Sequence, residues 1–114
     1  MNEEHIEILT ELEEKDTSSP ERILFLSVIF QALLDATKEK TIVESSDVSI
    51  ERARAAAWFF CSVGVTCDNF EYICENAGMD AEFTRSFALK VINSKEIKYV
   101  RQRIKRVLDK SWLR

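Results

Sequence analysis

The sequence predicts an all-α fold, a compact bundle of about five helices. Apolar residues recur at helical spacing through most of the chain, with little of the alternation typical of strands. Only two glycines and one proline occur, so few positions interrupt a helix. The chain has 114 residues, of which 46% are hydrophobic. It is therefore long enough and apolar enough to form one domain around one core.

Residues 1–16 are acidic and carry a thin apolar stripe of Ile6, Leu9 and Leu12. This pattern predicts a helix that docks weakly, binds a partner or covers the basic C-terminus, or else a solvated chain end. The segment has no basic start, so no signal peptide is expected. No run of 18 uninterrupted apolar residues occurs, so no membrane span and no membrane partner are expected.

Ser19, Pro20 and Glu21 predict a helix start, with a capping hydroxyl, a proline at the first helical position and a carboxylate near the positive helix end. The helix that follows is the most hydrophobic in the chain. Lys38 and Lys40 are predicted to mark its end. Its apolar side chains cover more than one face, which is typical of a central core helix or of one half of a homodimer interface.

Residues 41–48 predict a polar connection, after which Ser49 is placed to cap the next helix. The predicted inner stripe of that helix consists of Ile50, Ala53, Ala57 and Phe60. Arg52 and Arg54 are predicted to lie on its outer side. Gly64 is expected to end the helix.

Residues 70–92 predict a helix, a tight turn and a second helix. Gly78 fits the left-handed residue that ends a helix, and Asp80 is placed to cap the next one. Thr66 or Asp68 is expected to cap the first helix. Helix-turn-helix units of DNA-binding proteins have this form.

The second helix of this unit would enter the major groove of DNA. Its predicted exposed face consists of Asp80, Ala81, Glu82, Arg85, Ser86 and Leu89. The two carboxylates at its start would face phosphates. Only Arg85 and Lys90 are therefore suited to contact DNA.

Ser94 is placed to cap a last helix, which is amphipathic and basic. Its predicted apolar stripe consists of Ile97, Val100, Ile104, Val107 and Leu108. Residues 85–114 hold ten basic and two acidic side chains, whereas residues 1–48 hold twelve acidic and four basic ones. We expect nucleic acid as the first partner of the basic helix, because neutralising phosphates releases counterions. An acidic protein surface is the next candidate, and a membrane the least favoured.

The predicted DNA-contacting residues combine the two regions. They are Arg85, Lys90, Lys98, Arg101, Arg103, Lys105, Arg106 and Lys110. The basic helix also contains Lys95 and Arg114.

The side chains needed for catalysis are scarce. His5 is the one histidine, so no catalytic triad and no zinc site are expected, and two glycines exclude a phosphate-binding loop. Cys61, Cys67 and Cys74 are odd in number and lie in or beside apolar runs, which predicts reduced thiols in a cytoplasmic protein. We expect a protein that is not an enzyme and has no cofactor.

Residues 53–92 contain ARAAAWFF and, after a short linker, FEYICENAGMDAEFTR, which runs from Phe70 to Arg85. This stretch resembles small helix-turn-helix regulatory proteins of alphaproteobacterial phages and prophages and of gene-transfer agents. Ala81 departs from that pattern, in which proline is common. The resemblance implies a phage-type transcription regulator that contacts DNA, RNA polymerase or both.

The sequence thus favours a small DNA-binding transcription regulator. The alternative is a protein-interaction module that docks on a host protein such as RNA polymerase. A third interpretation is a homodimer whose basic helices pair with acidic N-terminal segments.

Overall fold

A computed structural model describes residues 20–112, including the side chains of residues 20–109. Five α-helices follow one another in this part of the chain, which contains no strand: α1 (Pro20–Ala36), α2 (Ser46–Phe60), α3 (Val65–Ala77), α4 (Ala81–Ile92) and α5 (Ile97–Trp112). The all-α prediction is confirmed, and Pro20 opens α1 as predicted. The acidic segment 1–16 and the predicted cap Ser19 lie outside the described residues.

Helix α1 forms the centre of the bundle because it packs against each of the other four helices. Ile29, Phe30 and Leu33 are buried on its inner side. The largest buried partners on other helices are Phe59, Phe70, Phe87 and Ile104. The central-core alternative for this helix therefore fits the structure, and the homodimer alternative stays a prediction.

Helix α1 ends earlier than the sequence suggests. The helix stops before Lys38 and Lys40, so the prediction that these lysines mark its end is wrong. The hydroxyl of Thr37 donates to the carbonyl of Leu33 at 2.6 Å and so satisfies a backbone acceptor of the last turn. A threonine that bonds the backbone in this way favours a helix end.

The start of α2 differs from the prediction. The capping residue is Ser45, whose Oγ accepts from the backbone N–H of Val48 at 3.3 Å, and not Ser49. The connection before α2 is held by Arg52, whose guanidinium binds both carboxylate oxygens of Glu44. This hydrogen-bonded pair lowers the pKa of Glu44.

The inner face of α2 was also predicted wrongly. Ile50, Ala53, Ala57 and Phe60 are all exposed. Phe59 is fully buried, and Arg52 and Ala55 are half-buried on the same side. Arg52 was predicted to face outward. An arginine on the inner face breaks the apolar pattern of α2. The buried face predicted from the apolar residues is therefore shifted by about one residue from the observed one.

Helix α3 ends, and helix α4 is capped, at the residues predicted from the sequence. Gly78 adopts the left-handed conformation at φ 72°, and the carboxylate of Asp80 accepts from the N–H of Phe83 at 2.8 Å. At the other end of α3, Gly64 precedes the first residue and no side chain caps it, so the predicted caps Thr66 and Asp68 are wrong. Whether α3 and α4 act as a DNA-binding helix-turn-helix stays a prediction.

The apolar stripe of α5 is confirmed. Val100, Ile104, Val107 and Leu108 are buried, and Ile97 packs partly against the same core. The hydroxyl of Ser94 accepts from the N–H of Glu96 at 3.1 Å in the turn before the helix, close to its predicted role as a cap.

Candidate nucleic-acid interface

The solvent side of α5 presents cations because the opposite side is committed to the core. Lys98, Lys105 and Arg106 are exposed on the helix, and Lys95 is exposed just before it. We call these four residues the α5 basic face. Lys98 and Lys105 are two helical turns apart, about 10 Å along the axis. One strand of DNA carries a phosphate about every 3.4 Å along its axis, so this face can reach more than one phosphate.

Acidic side chains weaken this face only locally. Asp109 is exposed four residues after Lys105 and three after Arg106, where it can interact with either cation on the helix surface. Glu96 is half-buried beside Lys95. The face therefore keeps a net positive charge among the described residues.

Arg101 lies on α5 but points towards α1. Its Nη1 donates to the carbonyl of Leu34 at 2.5 Å and to the hydroxyl of Thr37 at 2.8 Å. Both acceptors lie at the C-terminal end of α1, whose last turn contains no basic residue. Arg101 therefore supplies positive charge and a donor to a helix end that lacks both. Its placement does not support the predicted role in phosphate binding.

Arg85 is also directed into the protein, and its predicted place on the exposed face of α4 is wrong. Its side chain is only 19% exposed. Nε donates to the carbonyl of Phe59 at 3.0 Å, and Nη2 donates to the carbonyl of Cys61 at 3.3 Å. These carbonyls lie at the C-terminal end of α2, which again has no basic residue in its last turn.

Further contacts fix the Arg85 guanidinium on all sides. It forms an ion pair with Glu82, and Nη2 also lies 3.4 Å from the sulfur of Cys67. Its central carbon lies 4.8 Å from the centre of the Phe70 ring, a distance suited to a cation–π interaction. Arg85 thus links α4 to α2 and α3, and few of its donors remain for DNA.

Arg22 occupies a third helix end. Its guanidinium lies against Gly78, the residue that ends α3, because a Cβ built on Gly78 would stand 2.1 Å from Nη2. The last turn of α3 contains no basic residue. Helices α1, α2 and α3 therefore share one arrangement, in which an arginine from another helix lies at the C-terminus. We call Arg22, Arg85 and Arg101 the helix-end arginines.

The other predicted contacts are less prominent. Lys90 and Arg103 are half-buried. The side chain of Lys110 lies outside the described residues. Of the eight residues predicted to contact DNA, the structure brings Lys98, Lys105 and Arg106 together on one exposed face. Lys95 is the further exposed cation that extends this face.

Two thiols are poorly suited to nucleophilic chemistry. The buried thiol of Cys67 donates to a carboxylate oxygen of Glu71 at 3.1 Å, and this hydrogen bond, with burial, raises the pKa of Cys67. Burial raises the pKa of Cys74. Cys61 is half-buried, whereas Cys67 and Cys74 are buried. Within the described part of the chain, no three His, Cys, Asp or Glu side chains are placed to share a metal ion.

Comparisons with protein families, curated proteins and solved structures find no match for this chain. The resemblance over residues 53–92 therefore stays a prediction. Between residues 20 and 112, no helix has the length and apolar character needed to cross a lipid bilayer. The candidate function is inferred from the α5 basic face and its surroundings.

Proposed function

We propose that the protein is a small DNA-binding transcription regulator and that the α5 basic face supplies its phosphate contacts. One observation carries this proposal: Lys98, Lys105 and Arg106 are exposed on one side of α5 and Lys95 is exposed in the turn before it, while Arg101 on the same helix is held against α1. Clustered exposed cations are the usual basis of sequence-independent affinity for nucleic acid. The regulatory role itself is inferred from the resemblance over residues 53–92.

Helix α4 contributes less to this proposal than its place in the sequence suggests. Its outer face consists of Glu82, Phe83, Ser86 and Leu89. With Arg85 turned inward, this face offers no exposed arginine for a bidentate contact to a base. Asp80 and Glu82 place negative charge at its start. We therefore expect binding that depends mainly on phosphates and little on sequence.

The test is fluorescence anisotropy of a labelled random-sequence duplex titrated with the protein between 50 and 200 mM salt. If all four cations contact phosphates, affinity should fall about 100-fold over that range, from a slope of about −0.9 per contact. The Lys105→Gln/Arg106→Gln variant should bind more weakly and with a slope shallower by about 2. Lys40→Gln removes one exposed lysine elsewhere, and should behave like the parent. Absence of binding at 50 mM, or equal binding by both variants, would contradict the proposal.

A second candidate function, a protein-interaction module, is favoured by the outer face of α4. Phe83 and Leu89 are 43% and 52% exposed beside Glu82 and Ser86, a mixture of apolar and acidic groups that suits a protein surface better than DNA. RNA polymerase is the partner that the resemblance implies. If this function is correct, tagged protein should retain a stoichiometric partner from nuclease-treated lysate. Leu89→Arg should abolish retention, whereas Ile42→Arg, at another exposed apolar position, should not.

A further inference from the structure

A groove of about 600 Å³ runs along α1 and is bounded by α2, α3 and α5. Leu24 and Val28 form its α1 wall and remain 55% and 39% exposed. Trp58 and Leu108 contribute from α2 and α5. Two large apolar side chains, one helical turn apart on the central helix, are thus left without cover by residues 20–109.

The tryptophan in this groove is fixed in place. Its Nε1 donates to the side-chain oxygen of Asn69 at 2.8 Å. Its ring meets that of Phe70 edge-on, with centres 4.9 Å apart. A groove with a rigid aromatic wall needs little rearrangement to receive an apolar segment.

Helices α1 and α5 run in opposite directions along each other. Arg101, early in α5, contacts Leu34 near the end of α1, whereas Leu108, late in α5, shares the groove with Leu24 near its start. Pro20 therefore lies towards the C-terminal half of α5. Lys105 belongs to that half and lies three residues before Leu108, on the neighbouring part of the helix surface. The groove and the α5 basic face are adjacent.

Charge differs between the two ends of the groove. Asp35 and Glu51 line it at the end near Lys38, which lies 3.8 Å from Glu51, and Arg54 lines it one helical turn after Glu51. The end near Pro20 is lined by Leu24, Ser27, Val28, Trp58, Asn69 and Leu108. No carboxylate occurs in that set, and Lys105 of α5 lies next to it. The end near Pro20 therefore suits a segment that is both apolar and acidic.

We propose that residues 1–16 of this chain occupy the end of the groove near Pro20 and cover Lys105, the member of the α5 basic face that lies next to it. The segment has seven acidic side chains and one lysine, and its apolar stripe is Ile6, Leu9 and Leu12. Three residues lie between it and Pro20, so Asp16 and Pro20 are at most about 14 Å apart. So short a connection gives an effective concentration in the millimolar range. The apolar stripe contacts Leu24 and Val28, and the carboxylates face Lys105.

This docking has a functional consequence that rests on the proposed DNA binding. The segment and DNA phosphates compete for Lys105, so the acidic segment lowers the apparent affinity for DNA. Because both interactions involve exposed charges, the competition weakens as salt is raised.

The direct test is nuclear Overhauser spectroscopy of the full-length protein at low salt. We expect contacts from the methyl groups of Ile6, Leu9 and Leu12 to those of Leu24 and Val28. A mixed sample of labelled and unlabelled protein separates contacts within one chain from contacts between chains. Absence of these contacts, or contacts only between two copies, would overturn the proposal.

A second test uses DNA binding. Glu11→Gln/Glu14→Gln/Asp16→Asn should bind the random-sequence duplex about tenfold more tightly than the parent at 50 mM salt. The matched control neutralises exposed carboxylates elsewhere, Glu39→Gln/Glu75→Gln/Asp68→Asn, and should change affinity much less. Equal gains in both variants would contradict competition by the segment. Methyl contacts without any DNA binding would leave the docking intact and refute the proposed function instead.

Discussion

The helix-end arginines and the α5 basic face are both cationic, yet they do different work. Arg85 and Arg101 donate to backbone carbonyls at the ends of α2 and α1. Lys98, Lys105 and Arg106 extend from α5 into solvent. In the sequence the two groups are interleaved, since Arg101 lies between Lys98 and Lys105. The number of basic residues in a helix therefore overstates how many can bind a partner.

The physical reason lies at the helix ends. The last carbonyls of an α-helix have no partner within the helix, and that end carries partial negative charge. The last turns of α1, α2 and α3 contain no basic residue. An arginine from another helix can satisfy such an end because its guanidinium is always charged and presents several donors in one plane. The same contact then holds two helices together.

The largest expected effect comes from removing Arg85. Arg85→Ala deletes donors to Phe59 and Cys61 and the contact with the Phe70 ring, so the free energy of unfolding should fall by about 2–3 kcal/mol. Urea denaturation at pH 7 measures this change. Arg54→Ala, at an exposed arginine of α2, should stay within about 0.5 kcal/mol of the parent. An equal free energy of unfolding for the two variants would show that the contacts of Arg85 do not stabilise the fold.

Gly78 gives the next effect. Gly78→Ala forces a left-handed conformation on an alanine, which should cost about 1–2 kcal/mol, and its methyl group would displace the guanidinium of Arg22. A double-mutant cycle separates the two contributions. In an Arg22→Ala background the cost should be smaller by about 0.5 kcal/mol, because no guanidinium remains at the α3 end. An identical cost in both backgrounds would show that Arg22 contributes nothing there.

The thiols provide a test that depends on pH. Because Cys67 and Cys74 have raised pKa values when folded, the folded protein retains protons that the unfolded chain loses. Their stabilising effect is complete below the ordinary thiol pKa of about 8.5 and is lost as pH rises through the folded values. Denaturation at pH 7 to 10 should show this decline in the free energy of unfolding, and the Cys67→Ala/Cys74→Ala variant should show a shallower decline.

Thiol reactivity gives a separate test. At pH 7.5 a disulfide reagent should modify Cys61 first. Rapid modification of Cys67 would contradict its burial and its raised pKa.

Several local signals in the sequence predict the structure correctly, although the local cap predictions at Ser49, Thr66 and Asp68 are wrong. The all-α class, the ends at Gly78 and Asp80 and the apolar stripe of α5 all depend on residues within a few positions of one another. Each of these features has a local physical cause, either a backbone conformation, a hydrogen bond to a nearby N–H group or a helical repeat.

Features that depend on distant residues were missed. Arg101 meets Leu34 across 67 positions and Arg85 meets Phe59 across 26, and no local pattern identifies these acceptors. The inner face of α2 was misjudged for a related reason, because Arg52 points inward to a carboxylate on the preceding connection. The α5 basic face was predictable as a group, whereas the placement of Arg101 required the structure.

The most direct test of the central claim compares two single variants of one helix. Lys105→Gln and Arg101→Gln each remove one positive charge from α5, and the slope of log K against log salt is measured for random-sequence DNA with each folded protein. We expect Lys105→Gln to reduce the slope by about 0.9 and Arg101→Gln to leave it at the parent value. We also expect Arg101→Gln to lower the free energy of unfolding by about 1–2 kcal/mol. A slope reduced equally by both variants, or by Arg101→Gln alone, would contradict the separation of the helix-end arginines from the α5 basic face.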